Sequence, residues 1–296
     1  METIIIAGGT GLIGKQLVAA LQAKGHEVRC LTRNQTIAEN GLYHWDPYNL
    51  ICDENVFENA TIVINLSGAG IADKRWTKNR IAELIDSRVD TTQALLHFTK
   101  DCTSLKQYIS ASGIICYGFD NPTKKHIETD QFGKDTLSYI TQLWEAAADT
   151  FAARCPVTKI RISVVLAKEG GALKPIALPI KYGFGTILGT GDQAIPWISL
   201  HDLVKLFVYV AEHNLGGTFN ANAGNTSNTA LTKTIAEVFG KGIWLPKLPG
   251  MFLKLVLGKM SSVVLDGLQA DNSLIQAQGF EFDDTDLKKT ITKIYA

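Results

Sequence analysis

The sequence has no excess of charge of either sign, with Lys+Arg and Asp+Glu equal at 29 each. Bulk attraction to nucleic acid or to an anionic membrane is therefore not expected. It also lacks any apolar run near the ~20 residues that cross a bilayer. Its greasiest stretch, Met251 to Leu257, carries Lys254 inside it and Lys259 just after. The first residues, Met1-Glu2-Thr3-Ile4-Ile5-Ile6, start on a strand pattern without the basic region and apolar core of a signal peptide, which implies a cytoplasmic chain. Cys30, Cys52, Cys102, Cys116 and Cys155 form no C-x-x-C pair and are odd in number, the pattern of reduced thiols. The six histidines show no paired ligand spacing, so no metal is expected. Repeats and low-complexity linkers are missing too.

What is present is an ordinary globular balance of 46% hydrophobic and 20% charged residues over 296 positions, enough for one large α/β unit and a smaller attachment. Ile- and Val-rich runs at 3–7, 26–32, 61–66, 107–112 and 158–166 read as strands. Between them lie helical stretches at 15–24, 75–100 and 137–154, the second with Ile81, Leu84, Ile85, Val89, Leu95 and Leu96 at helical spacing. Such alternation predicts an α/β fold with a Rossmann-type, doubly wound parallel sheet. Residues 1–169 are expected to form the dinucleotide-binding domain, with a core helix from about 201–216. Residues 170–296, where glycine and proline thicken, are expected to form a smaller C-terminal substrate lobe.

Gly8-Gly9-Thr10-Gly11-Leu12-Ile13-Gly14 stands between the first strand and the first helix, the context that gives a glycine pattern its meaning. Glycine is needed there for a tight turn, for close approach of a pyrophosphate and for packing of helix on strand. Free N–H groups at the helix start then hold phosphate, which makes Gly8, Thr10, Gly11, Leu12, Ile13 and Gly14 candidate cofactor residues. The second strand ends Leu31-Thr32-Arg33, without the Asp or Glu that accepts from a ribose 2′-hydroxyl in NAD enzymes. With Thr32 beside it, the Arg33 guanidinium can fork onto a 2′-phosphate instead. Charge-assisted bonds of about 1.5–3 kcal/mol would favour NADPH over NADH by roughly 10- to 150-fold.

With Ser110-Ala111-Ser112, Tyr117-Gly118, Val63 to Gly68, Arg75-Trp76-Thr77, Ser87-Arg88-Val89, Trp144-Glu145, Gly170 to Leu173, Pro196-Trp197-Ile198, Asp202 and Gly279 to Phe282, the chain resembles the extended short-chain dehydrogenase/reductases. More narrowly it is similar to their atypical branch, the NAD-dependent epimerase/dehydratase-like "epimerase family proteins" with a C-terminal domain of unknown function. That resemblance covers nearly the whole chain and implies NADP(H), with Leu66, Ser67, Gly68 and Arg88 also at the cofactor. The wider superfamily uses a tyrosine and a lysine four residues later. Aligning Glu145 with the usual glutamate of that helix puts Leu137 and Thr141 at their places.

What remains is another polar set. Ser112 ends a strand at the carboxyl edge of the sheet and Tyr117 follows in the next loop, so these two are the candidate catalytic residues, Tyr117 as proton donor. Glu128 reads as a loop pin and Cys116 as a small core residue. Arg75 and Trp76, after the Ser67 loop, and Gln193 and Trp197, from the glycine-rich stretch, are candidate substrate contacts. The cations make an anionic substrate one reading. The first expectation is an NADP(H)-dependent oxidoreductase or epimerase-like enzyme acting by hydride transfer on a small carbonyl or hydroxyl compound. The alternative is a non-catalytic NADPH-binding redox sensor or partner-binding protein. The sequence leaves the oligomeric state open.

Overall fold

The β-branched runs become strands in the computed structural model, which describes residues 1–34, 41–53 and 55–296. Along the chain come β1 (Thr3–Ala7), α1 (Leu12–Ala23), β2 (Glu27–Thr32), β3 (Leu42–Asp46), β4 (Ile51–Cys52), β5 (Ile62–Asn65), α2 (Lys78–Phe98), β6 (Gln107–Gly113), β7 (Lys125–His126), α3 (Thr136–Asp149), β8 (Val157–Ile162) and β9 (Val164–Leu166). Then follow α4 (Leu173–Lys181), β10 (Ala194–Ser199), α5 (Leu200–Glu212), β11 (Gly217–Ala221), β12 (Gly224–Ser227), α6 (Asn228–Val238), α7 (Gly250–Leu257), α8 (Ser262–Leu265), β13 (Gln269–Ala270), α9 (Ser273–Ala277) and α10 (Leu287–Tyr295).

The main sheet runs β11-β8-β6-β5-β1-β2-β3-β4, and its pairs are parallel except the short last one, β3 with β4. From β1 the chain winds outward through β2, then returns to β5 and winds the other way. The switch point therefore lies between β1 and β5, where open α/β sheets bind ligands. Helices cover both faces, which is why the strands read as continuous apolar runs. Ile4 and Ile6 pack with Leu17 and Leu21 of α1 and Leu203 and Phe207 of α5. The alternate residues Ile5 and Ala7 pack with Ala94 and Leu95 of α2 and Ala148 of α3. No helix among the described residues is long and apolar enough to cross a membrane.

Three expectations need correction. α2 starts at Lys78 because Thr77 caps it, its Oγ1 accepting from Arg80 N at 3.1 Å, so Arg75 and Trp76 stand in the preceding loop. The strand expected over 158–166 is two, since at Ser163 the chain leaves the main sheet, held by Ser163 Oγ donating to Ala221 O at 2.7 Å. The core does not end at 216, because β11 forms the edge of the main sheet beside β8. The stretch after 170, where glycine and proline thicken, holds α4 and β10, and β10 sits between β9 and β12 in a second small sheet.

Buried Asp202 in α5 fastens the C-terminal segment to this core. Its carboxylate accepts from Asp283 N at 3.0 Å and Asp284 N at 2.9 Å. Burial pushes its pKa up, against the pull of those two N–H groups. Asp202→Ala would leave both donors unpaired. It is expected to destabilise the fold by about 1.5–3 kcal/mol for each bond lost, measured by denaturant unfolding; an unchanged midpoint would show that the segment is held elsewhere.

Candidate functional site

The glycine loop is fixed by how closely backbone meets backbone. Gly8 has φ +81°, and a Cβ there would lie 2.8 Å from the Leu66 carbonyl carbon and 3.0 Å from Ser67 N. At Gly14 it would lie 2.4 Å from Gly8 O and 2.5 Å from Gly9 Cα. At Gly11 only Gly8 O comes near, at 3.3 Å, and Thr10 and Gly11 are exposed. Gly11 is the N-cap of α1 and, unlike Thr77 or Ser199, offers no side chain to the first-turn N–H groups. Leu12 and Ile13 are half-buried in that turn. This positive, uncapped helix end at the switch point fits a dinucleotide pyrophosphate.

At the end of β2, Thr32 is buried and its Oγ1 accepts from Asn34 N at 3.2 Å, while Arg33 is exposed. Beyond β5, Leu66 and Ser67 are half-buried and Gly68 is exposed. Ser67 N donates to Asn65 Oδ1 at 3.0 Å and Ala69 N to Ser87 Oγ at 3.0 Å, which shapes the loop. Arg88 braces it from within. Its guanidinium donates to Ala69 O at 3.1 Å and Leu84 O at 2.8 Å and lies 4.8 Å from the Trp144 ring centroid. A Cβ on Gly68 would come within 3.0 Å of its Cζ. Burial, with Arg80 nearby, lowers the Arg88 pKa to about 10.

Ser112 and Tyr117 are brought together, but in a buried network instead of an open cleft. Ser112 Oγ donates to Glu145 Oε1 at 2.6 Å. Arg161 of β8 forks onto the same carboxylate through Nε at 2.8 Å and Nη2 at 2.9 Å. Its Nη1 donates to Tyr117 OH at 3.0 Å and Glu128 O at 3.0 Å. Tyr117 OH in turn donates to Asn220 Oδ1 at 2.7 Å, and its ring stacks on His126. Burial pushes the Tyr117 pKa well up. Desolvation works against the Arg161 charge, yet hydrogen bonds and the field of Glu145 raise its pKa overall. Glu128 Oε1 accepts from Asn220 N at 2.8 Å and pins its loop to β11. Cys116 is buried and its thiol pKa is pushed up. Arg161 and Asn220 were missed from sequence. For Arg161 a signal existed, a charge on one face of a core strand that must find a buried partner; for Asn220 there was none.

The substrate candidates separate. Gln193 is buried, donating through Nε2 to Leu188 O and Val264 O at 3.0 Å each, and Trp197 is buried against Gly224. Both hold the small lobe together. Trp76 donates through Nε1 to Ile71 O at 2.9 Å and packs beside Leu84 and Leu137. Arg75 alone is exposed, and a Cβ on Gly258 would come within 3.1 Å of its Nη2, so it reaches the C-terminal lobe. Away from the cleft, ligand atoms of His201, Asp202 and Asp283 lie within 4.8 Å of one another. Asp202 is already engaged by backbone N–H groups and Asp283 by Lys205.

Residues 4–222 match the NAD dependent epimerase/dehydratase family, and residues 248–294 match a domain of unknown function, DUF1731. The chain belongs to the NAD dependent epimerase/dehydratase family. It is 32% identical to an epimerase family protein of Staphylococcus aureus over 98% of both chains. It is 28% identical to the mouse epimerase family protein SDR39U1 over 99% of both. A crystal structure of human SDR39U1 (isoform 2) with NADPH superposes with a TM-score of 0.86 at 27% identity, covering 99% of this chain and 98% of that one.

Against this family's usual tyrosine and lysine, α3 offers little chemistry. Leu137 is buried in an apolar cluster with Leu84 and Ile140, and Thr141 spends its hydroxyl on Leu137 O at 2.8 Å. Tyr117, the expected proton donor, is buried and its hydroxyl donates to Asn220 Oδ1. Tyr117→Phe would strip Asn220 Oδ1 and Arg161 Nη1 of a partner. It is expected to cost about 1–3 kcal/mol of stability while leaving nucleotide affinity intact, by denaturant unfolding and titration. A variant as stable as its parent that loses turnover would put the hydroxyl back at the reacting atoms.

Proposed function

We propose that this protein binds NADP(H) and acts as an oxidoreductase or epimerase-like enzyme on a small carbonyl or hydroxyl compound. The observation that carries the reading is the uncapped α1 N-terminus at the β1/β5 switch point, with exposed Arg33 at the end of β2. The α1 turn would hold the pyrophosphate, Arg33 the 2′-phosphate, and Leu66 to Gly68 the face opposite. Arg88 would act on that face by holding its loop. The human relative solved with NADPH supports the choice of cofactor. When bound, the nicotinamide supplies hydride transfer.

Arg75 is the exposed cation beside the C-terminal lobe and supports a substrate with an anionic group. Ser112 and Tyr117 are spent on Glu145, Arg161 and Asn220, so in this reading the proton comes from water. Their role is to hold the sheet edge and the 126–128 loop in place. Free cysteines at all five positions support a cytoplasmic setting.

One observation favours the second reading, a non-catalytic NADPH-binding sensor. The family's tyrosine and lysine places are Leu137, in an apolar cluster, and Thr141, whose hydroxyl donates to Leu137 O. Screening small carbonyl compounds for NADPH oxidation by the pure protein separates the two: consumption supports the enzyme, and binding without consumption supports the sensor.

On cofactor choice, NADPH is expected to bind roughly 10- to 150-fold tighter than NADH, the gap shrinking in Arg33→Ala and at higher salt, where an exposed phosphate contact is screened. Calorimetric titration of both nucleotides measures it. Equal affinities in the unmodified protein would end the Arg33 assignment.

A further inference from the structure

The small lobe turns an apolar helix face outward. In α7, Met251, Phe252, Leu255 and Val256 are 84%, 53%, 78% and 50% exposed, and Leu253 is buried. Positions 251, 252, 255 and 256 share one side of a 3.6-residue helix and Leu253 lies opposite. Just before α7, Trp244 is 84% exposed. The turn after α4 adds exposed Tyr182 and Phe184. It adjoins the 241–245 segment, since a Cβ on Gly185 would lie 2.7 Å from Ile243 Cδ1. Patches of this kind mark interaction sites.

Charge says what covers it. From residue 238 to 265 the chain carries Lys241, Lys247, Lys254 and Lys259 and not one Asp or Glu. All four are exposed. The flanking acids are Glu237, already paired with Lys288 at 3.0 Å, and Asp266. The neutral total, which spoke against an anionic membrane, averages over this local excess. A second copy of the chain on the same face would set lysine against lysine, which is unfavourable. An anionic bilayer instead accepts the tryptophan and aliphatic side chains at its headgroup boundary and pairs with the lysines around them.

We propose that the α7 face, with Trp244 and its lysine rim, docks on an anionic lipid surface, lying on the membrane without crossing it. The end of the helix, Gly258, stands against Arg75, so docking would set the cleft close to the lipid.

Co-sedimentation of the purified full chain with vesicles tests this, using phosphatidylcholine alone and phosphatidylcholine mixed with phosphatidylglycerol. Binding is expected to the mixed vesicles and to weaken as salt rises. Leu255→Glu, and separately the pair Lys254→Glu and Lys259→Glu, should each cut binding by roughly tenfold or more. These positions are exposed, so the melting temperature should stay at the parent value. No binding to mixed vesicles, equal binding to both kinds, or variants that bind like the parent would overturn the proposal. So would a parent that ignores vesicles and runs as a dimer split by Leu255→Glu, which would assign the face to a second copy.

Discussion

Contact of bare backbone at the carboxyl end of β1 governs the geometry around the cleft. Gly8 presses on the carbonyl of Leu66, and Gly14 presses back on Gly8 and Gly9, at distances that leave no room for a Cβ. α1 therefore begins directly above β1, and its first turn overlooks the exit of β5. The same turn sends Leu12 against Gly170, where a Cβ would lie 3.4 Å from the leucine side chain. Three segments far apart in sequence thus meet around one helix N-terminus. The positive end of α1, which no side chain caps, then stands beside exposed Thr10 and Gly11.

A second constraint is the buried ion pair of Glu145 and Arg161, which are 3% and 4% exposed. Taking two charges out of water is expensive, and such a pair adds little net stability by itself. Removing one partner is another matter, at about 3–5 kcal/mol, because the other charge is left alone. Here the pair also organises its neighbours. Ser112, Tyr117 and the carbonyl of Glu128 all satisfy valences of that pair, and Asn220 extends the network to β11. Ser112 and Tyr117, the catalytic pair expected from sequence, thus also join sheet, α3 and loop.

Local signals made much of this legible. The Ile/Val runs of β1 and β5, buried on both faces, and the glycine loop between β1 and α1 could be read from residue type alone. Arg33 was singled out because an acid is missing where one is usual, and it is exposed at the end of β2. Long-range pairing could not be read that way. β11 reads as a weak strand, Gly217-Thr218-Phe219-Asn220-Ala221, and becomes one because β8 offers it an edge. α4 was hidden by Pro175 and Pro179: Pro175 in the first turn forfeits no helical bond, Pro179 inside the helix gives one up, and from sequence both resemble breakers. Tyr117 and Gln193 are buried, with protein partners that sequence could not show. Polarity shows that a side chain needs a partner, and only the fold shows whether that partner is protein or ligand.

The central claim, that the uncapped start of α1 holds an anionic cofactor, is tested most directly at Gly11. Its φ of −76° is open to any residue, and a Cβ there would meet only Gly8 O at 3.3 Å. Aspartate is a strong N-cap, worth about 1 kcal/mol over a residue that cannot cap. Gly11→Asp would therefore place a carboxylate where the pyrophosphate would be held, with a shift of only a few tenths of an ångström at Gly8 O. Calorimetric titration of this variant with NADPH should show affinity falling by roughly 100-fold or more, the scale of one strong charge-assisted contact replaced by repulsion, at unchanged or higher thermal stability. NADPH binding as tight as in the parent would contradict the account.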